Sequence, residues 1–465
     1  MFVRASLAIT ALILAGTAYA EPVLTVSPKE GVFDAPFNVT LRGAPPNAEV
    51  VIETRRSTED DQAWVTTGIY RADKAGHVDT AKMPSQGGSY SGLSPHGLLC
   101  SALPSGVSSF DDYLTRMIDN PRLSRLFVPP IGPIPITVEA SIDGAVVASA
   151  TATRGHAVGV TEEEVRTTDG LRGLYFAPAD NQSIREPVLL LNGSGGGVRR
   201  YAAARLASHG HPTFAFAIYS YSDLPTTLKN YPIERIRDGA QWLAQRVGVE
   251  RVAVMGVSRG SEAAAHAAIN FPEDFSSVIL SVPSHLREGG ALGPDARIGD
   301  SAWTIGGKPL AVTDLGFTFD DPRIFEAAKE LPGFNASGMS LSVWGSEDLE
   351  AEFGTNFEAI DVPVLVLAGA EDGIWPSWIS AERIRQRLAG AGKGDLVDVR
   401  VYQGAGHSLV SVGFGGPSSV FAYNPALQGY MDFGGTPNGN CEAGFQSSRA
   451  IVEFLDAIDP AGVAR

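Results

Sequence analysis

Basic residues, cysteine and long apolar runs are all scarce in this chain. Its 465 residues include 36 Lys and Arg against 52 Asp and Glu, a formal charge of −16. That deficit of positive charge argues against nucleic acid or an anionic membrane surface as a partner. There is no Walker loop and no dinucleotide fingerprint, so no nucleotide or other cofactor is expected. Only two cysteines occur, Cys100 and Cys441, and no Cys/His cluster has zinc spacing, so no metal is expected either. After the first twenty residues no segment approaches the apolar length that spans a bilayer.

What is present begins with those twenty residues. Arg4 supplies a positive start, Ala5 to Gly16 is apolar apart from Ser6 and Thr10, and Ala18-Tyr19-Ala20 is an A-x-A site before Glu21-Pro22. This predicts a cleaved signal peptide over 1–20 and export to the periplasm or outside the cell. Glu21 is not cysteine, so a lipid anchor at that point is not expected. In an oxidising compartment the two cysteines are a candidate disulfide; two unrelated buried thiols is the other reading.

Residues 21–155 alternate apolar and polar positions in short runs separated by Pro, Gly and Asn turns, such as Phe37 to Arg42 and Glu49 to Glu53. Pro135 to Ile142 and Ala145 to Ala150 flank Asp143-Gly144, a hairpin signature. An immunoglobulin-like β-sandwich domain is predicted. From 160 to 465 the pattern becomes strands alternating with helices, which predicts an α/β domain with a mainly parallel sheet covered on both faces. Pro187 to Leu191, Thr213 to Ile218, Arg251 to Met255, Ser277 to Ser281 and Val362 to Ala368 read as strands. Val397 to Tyr402 reads as the last strand, at a sheet edge because it alternates. Residues 286–350 are glycine-rich and poorly periodic, and read as a lid or rim insert.

The chemistry sits at Gly256-Val257-Ser258-Arg259-Gly260, the one G-x-S-x-G in the chain. It follows a buried-type strand and precedes an alanine-rich helix, the context of a nucleophile elbow. Ser258 is the candidate nucleophile. A serine needs a general base, and the base an orienting acid, in the chain order Ser, Asp or Glu, His. Of the downstream histidines, His266 lies along the helix and His285 follows the next strand. His407, in Gly404-Ala405-Gly406-His407-Ser408 just after the last strand, is the predicted base. Asp372 is the predicted acid, with its neighbour Glu371 as the fallback. The amide of Arg259 and an amide of the run Asn192-Gly193-Ser194-Gly195-Gly196-Gly197, taken as Gly195, are the expected oxyanion donors.

With these residues in place the chain resembles the acyl-CoA thioesterase and bile-acid-CoA:amino-acid N-acyltransferase family. The likeness is carried by Gly88-Ser89-Tyr90-Ser91-Gly92-Leu93, Gly97-Leu98-Leu99, the glycine run 195–197 and Asp223-Leu224-Pro225. Gly260-Ser261-Glu262 and Gly434-Gly435-Thr436-Pro437 complete it. The resemblance implies an α/β-hydrolase fold and a Ser/Asp/His site, hence Ser258, Asp372 and His407. It also implies an acyl ester or thioester as the small-molecule substrate. Members that transfer acyl groups to amino acids tend to carry cysteine at the elbow, so serine favours hydrolysis. An exported serine hydrolase is the expectation. An acyltransferase and a non-catalytic surface-binding protein are the alternatives.

Overall fold

The computed structural model describes residues 21–57, 61–107, 109–119, 130–179, 184–288, 299–313, 322–409, 420–424 and 428–458. The segment expected to be a signal peptide lies outside them.

The N-terminal part is β-rich. Strands Glu49–Ser57 and Ala63–Arg71 bury every second side chain, as alternation requires of a half-buried sheet. They lie in a six-stranded sheet with Glu30–Val32, Leu103–Pro104, Ile134–Ile142 and Ala145–Gly155. Val23–Ser27, Asn38–Arg42 and Val78–Asp79 form a second, three-stranded sheet. The two share one core: Val26, Val39, Leu41 and Val78 meet Ile52, Tyr70, Ile136 and Val138. The predicted hairpin is there. Asp143 and Gly144 take φ of 50° and 77°, the pair of positive values that a tight two-residue turn needs.

The C-terminal part is built on an eight-stranded sheet. In spatial order its strands are Val160–Arg166, Arg172–Pro178, Thr213–Phe216, Val188–Leu191, Val252–Val257, Phe275–Ser281, Val364–Gly369 and Val397–Tyr402. The six from Thr213–Phe216 onward run parallel. The first two join antiparallel. The four strands at 188, 252, 275 and 364 are buried throughout, as expected of strands covered on both faces. On one face, Leu189, Val254 and Val278 pack under helices Glu234–Val247, Arg259–Asn270 and Ser377–Gly390. On the other, Leu190, Met255 and Ile279 pack under Arg200–Ser208 and Pro437–Asp456.

Strand Val397–Tyr402 occupies the sheet edge, as its alternation predicts, but it is not the last strand of the chain. A hairpin, Phe421–Asn424 with Gly429–Asp432, follows it and forms a separate two-stranded sheet. Helix Pro437–Asp456 comes next. Thr436 caps it, its hydroxyl accepting from the Gly439 amide at 3.0 Å. The insert expected at 286–350 holds, among its described residues, the short strands Trp303–Ile305 and Lys308–Pro309 and helices Pro322–Ala328, Ala336–Trp344 and Glu347–Phe353. Its polar and glycine-rich sequence hides these elements because each is only two to nine residues long.

Candidate active site

Strand Val252–Val257 ends at Ser258, and helix Arg259–Asn270 begins on the next residue. Ser258 links them at φ 57° and ψ −126°, a strained conformation for a residue with a side chain. The turn is tight because both flanking positions lack a Cβ. One on Gly256 would run into the Gly260 carbonyl, and one on Gly260 would stand 2.5 Å from the Asn192 carbonyl.

The structure brings the three predicted side chains together from positions 258, 372 and 407. His407 Nε2 lies 2.9 Å from Ser258 Oγ. His407 Nδ1 lies 2.9 and 3.0 Å from the two oxygens of Asp372. With Nδ1–H donating to the carboxylate, Nε2 is left as the acceptor of the serine proton. Asp372 has no exposed side-chain surface, and its Oδ1 also accepts from the amides of Ile374 at 3.0 Å and Trp375 at 3.3 Å. Glu371, the fallback, is exposed. Trp375 stands edge-on to the His407 ring at 5.3 Å and donates from its indole to the Val282 carbonyl at 3.0 Å. The imidazole is therefore fixed by packing as well as by the acid.

The other two downstream histidines take no part. Burial pushes His266 and His285 down to about 3, so both are neutral at ordinary pH. His285 bonds through Nδ1 to Ser380 Oγ at 3.0 Å.

The glycine loop lies beside the serine, and its contact falls at Gly193. A Cβ there would sit 2.9 Å from the Ser258 Cβ. The Gly193 amide donates to Asn192 Oδ1 at 2.9 Å, the Gly196 amide to the Gly193 carbonyl at 3.1 Å, and the Gly197 amide to the Tyr219 carbonyl at 2.8 Å. The amides of Ser194 and Gly195 have no hydrogen-bond partner among the described residues. Gly195 is exposed, with nothing within 4 Å of where its Cβ would be. The sequence points to this loop but cannot say which of its glycines touches the nucleophile.

A second feature missed from sequence is a strap at 433–435 that ties the acid loop to the base loop. The Phe433 carbonyl accepts from the amides of both His407 (2.7 Å) and Gly373 (3.2 Å). Gly434 bridges to Asp372 and Gly435 to Ala405. Their φ values are 77° and 74°, and a Cβ on Gly434 would collide with the Glu371 carbonyl. Asn440 locks the arrangement, accepting from the Gly406 amide at 2.7 Å and donating to the Gly434 carbonyl at 3.0 Å. The Gly434-Gly435 doublet is the one signal in the sequence that could have located it. Among the described residues no group of three or more His, Cys, Asp or Glu is arranged to hold a metal ion. No helix among them is long and apolar enough to cross a membrane.

A parallel sheet carrying a serine at a strained strand-to-helix turn, with a histidine and a buried aspartate on later loops, defines the α/β-hydrolase class. Residues 34–167 match the family described as acyl-CoA thioester hydrolase/BAAT N-terminal region, and residues 339–458 match BAAT/acyl-CoA thioester hydrolase C terminal. The chain belongs to this acyl-CoA thioesterase/BAAT family and is a serine hydrolase of it. Relatives match along most of the length. Acyl-coenzyme A thioesterase 1 of Rattus norvegicus is 24% identical over 440 residues, covering 94% of this chain and 96% of its own. Acyl-coenzyme A amino acid N-acyltransferase 1 of Mus musculus is 24% identical over 443 residues, covering 93% and 96%. The bile acid-CoA:amino acid N-acyltransferase of Mus musculus is 28% identical over 341 residues, covering 70% and 77%. Among solved structures, the monoacylglycerol lipase of Paleococcus ferrophilus is similar at 21% identity and a TM-score of 0.34, with 59% of this chain and 96% of that one covered.

Proposed function

We propose that this chain is an exported hydrolase of an acyl thioester or ester, working through an acyl-enzyme on Ser258. The observation that carries the reading is the continuous hydrogen-bonded line from Ser258 through His407 to Asp372. In the first half-reaction Ser258 Oγ attacks the acyl carbonyl carbon. His407 Nε2 takes the hydroxyl proton and passes it to the leaving thiol or alcohol as the carbonyl–sulfur or carbonyl–oxygen bond breaks. Asp372 holds the imidazole in the right tautomer and stabilises the imidazolium. The Arg259 amide at the helix N-terminus, with the open amides at Ser194 and Gly195, faces the oxyanion. In the second half-reaction water, deprotonated by His407, attacks the acyl carbon; the acid leaves and Ser258 regains its proton.

Export is supported by the leader-like residues 1–20 and by the bond between Cys100 and Cys441, whose Cα atoms are 5.8 Å apart. The family relatives that transfer acyl groups support a second reading, in which an amine or alcohol replaces water in the second half-reaction. Product analysis with added acceptors separates the two.

The test of the site is a fluorophosphonate probe together with paired oxygen and sulfur esters of graded chain length. Wild-type protein is expected to be labelled on Ser258 and to turn over one of the series. Ser258→Ala is expected to lose labelling and roughly 10⁴-fold or more of turnover while keeping its fold. Turnover at the wild-type rate in that variant would sink the reading.

A further inference from the structure

The side chain of Arg259 points away from the oxyanion that its amide serves, into a buried cluster of charge. Its Nη1 lies 3.0 Å from the Glu262 carboxylate, one helical turn on, and 3.2 Å from the Glu288 backbone carbonyl. Its Nη2 pairs with the Glu288 carboxylate. The side chains of Arg259, Glu262 and Glu288 are only 4%, 2% and 5% exposed. One cation and two carboxylates leave a surplus negative charge in a place with almost no solvent, and a surplus buried charge is removed most cheaply by binding a proton. The Trp303 indole bonds Glu262 and, with Arg259, opposes the burial that raises its carboxyl.

The cluster joins three elements. Arg259 and Glu262 belong to the elbow helix. Glu288 belongs to the segment after strand Phe275–Ser281, where it bridges to Thr313. From the third element, the loop after strand Val397–Tyr402, His407 is near enough to act on the Glu288 charge. Tyr219 faces Arg259. Arg287 acts on Glu262, while its guanidinium bonds the carbonyls of Ala311 (2.9 Å), Glu352 (2.8 Å) and Gly354 (2.6 Å).

We propose that Glu262 and Glu288 share one proton around Arg259, that this neutralised clamp sets the Arg259 amide for the oxyanion, and that losing the proton slows acyl transfer. The inference rests on the proposed acyl-enzyme reading, which names the Arg259 amide as an oxyanion donor. Glu288 and Glu262 are positioning residues here, since neither touches the reacting atoms.

The direction with pH follows from the charges. Burial raises both carboxyls, Glu288 to about 7, against the opposing pull of Arg259; the Glu262 charge raises Glu288 further, while Trp303 and Arg287 lower Glu262. Below that pH the cluster is neutral overall. Above it a net negative charge stands behind the amide that must stabilise a second negative charge in the transition state. Turnover is therefore expected to fall as pH rises. A unit charge acting through a partly buried path changes the rate by roughly three- to tenfold.

The experiment is a set of pH–rate profiles on an acyl thioester, read by loss of thioester absorbance with enzyme-free blanks. Wild type, Glu288→Gln, Glu262→Gln and Glu288→Asp are compared. Wild type should show an alkaline decline in kcat. Both Gln variants should lose that decline, because either leaves one carboxylate for one guanidinium. Glu288→Asp should keep it, and KM should change less than kcat throughout. A decline preserved in both Gln variants, or no decline in wild type, overturns the proposal. If the Gln variants fail to melt cooperatively, the proton is sought directly in wild type by pH-difference infrared spectroscopy with labelled glutamate. A protonated carboxyl band present near pH 6 and lost by about pH 9 is expected from a raised carboxyl; its absence overturns the proposal. Turnover surviving in Ser258→Ala would instead mark failure of the acyl-enzyme reading, and the infrared arm then decides the carboxyl pair on its own.

Discussion

At the scale of single residues, the two adjacent carboxylates after strand Val364–Gly369 show how far local pattern reaches. Asp372 and Glu371 both stand where an acid is required, and residue type does not separate them. Burial and direction do. Asp372 is enclosed and bonded to His407 Nδ1, whereas Glu371 is turned outward. Asp372→Asn should therefore cut turnover by about 10²- to 10⁴-fold, since an amide no longer supports the imidazolium and favours the wrong tautomer. Glu371→Gln should stay near wild type. Both are checked with one substrate under the same conditions, and a crippled Glu371 variant beside an active Asp372 variant would reverse the assignment. Ser258 itself is held at positive φ, a cost of about 1–3 kcal/mol that the surrounding turn must offset. Gly256 and Gly260 make that conformation possible, and both were readable in the motif.

Secondary-structure elements carry the next level of constraint. Helix Pro437–Asp456 does more than cover the sheet, because its first turn and the strap before it hold the acid and base loops in register. The same helix is bonded to the β-rich part. Cys441 is joined to Cys100 in the short helix Gly97–Cys100, across 341 residues of chain. Next to them Glu442 accepts from Ser94 Oγ at 2.7 Å and pairs with His96 Nδ1 at 2.9 Å, and the His96 ring stacks on Phe445. Cys441→Ser should cost roughly 2–4 kcal/mol, with the long closed loop placing it toward the upper end if chain entropy is the cause. Hydrogen exchange should quicken first at 97–100 and at the start of helix Pro437–Asp456, before either core opens. Two free thiols titrated in protein taken from the oxidising compartment would contradict the bonded pair.

For the whole molecule, the contact between the β-rich part and the α/β part also depends on Asp34. Its side chain is buried, lies 2.9 Å from His209 Nε2 and 3.5 Å from Arg205 Nε, and accepts from Ser448 Oγ at 2.6 Å. Burial raises its pKa, but His209, Arg205 and Ser448 together outweigh burial and hold it below the ordinary carboxylate value. A depressed carboxyl contributes stability above its unfolded pKa, about 4, and loses it as pH falls through the folded value. Asp34→Asn should thus lower the melting temperature clearly at pH 7, in line with about 3–5 kcal/mol for breaking a buried ion pair. The gap from wild type should shrink as pH falls below ~4, where the unfolded chain's aspartate takes up a proton, and should close once pH passes below the lower folded value. Equal gaps at pH 7 and pH 3 would rule the ionised form out as the source.

The sequence by itself determined the parts of this protein that depend on neighbours in the chain. The buried strands announce themselves by unbroken apolar runs, the half-exposed strands by alternation, the hairpin by Asp143-Gly144, and the strained turn at Ser258 by the two glycines around it. The order of serine, acid and base is likewise a one-dimensional fact. Only the tertiary structure decided what depends on close approach between distant segments. It put Gly193 against Ser258, passed Gly434 and Gly435 beneath the acid and base loops, and set Glu288 on Arg259 beside Glu262. It also set Val160–Arg166 and Arg172–Pro178 antiparallel at one end of the otherwise parallel sheet, two strands the sequence analysis did not pick out. The reason is physical: a Cβ that would clash, or a charge that must find a counter-charge, is defined by what packs against it. That partner is chosen by the closure of the whole sheet rather than by residues nearby in sequence.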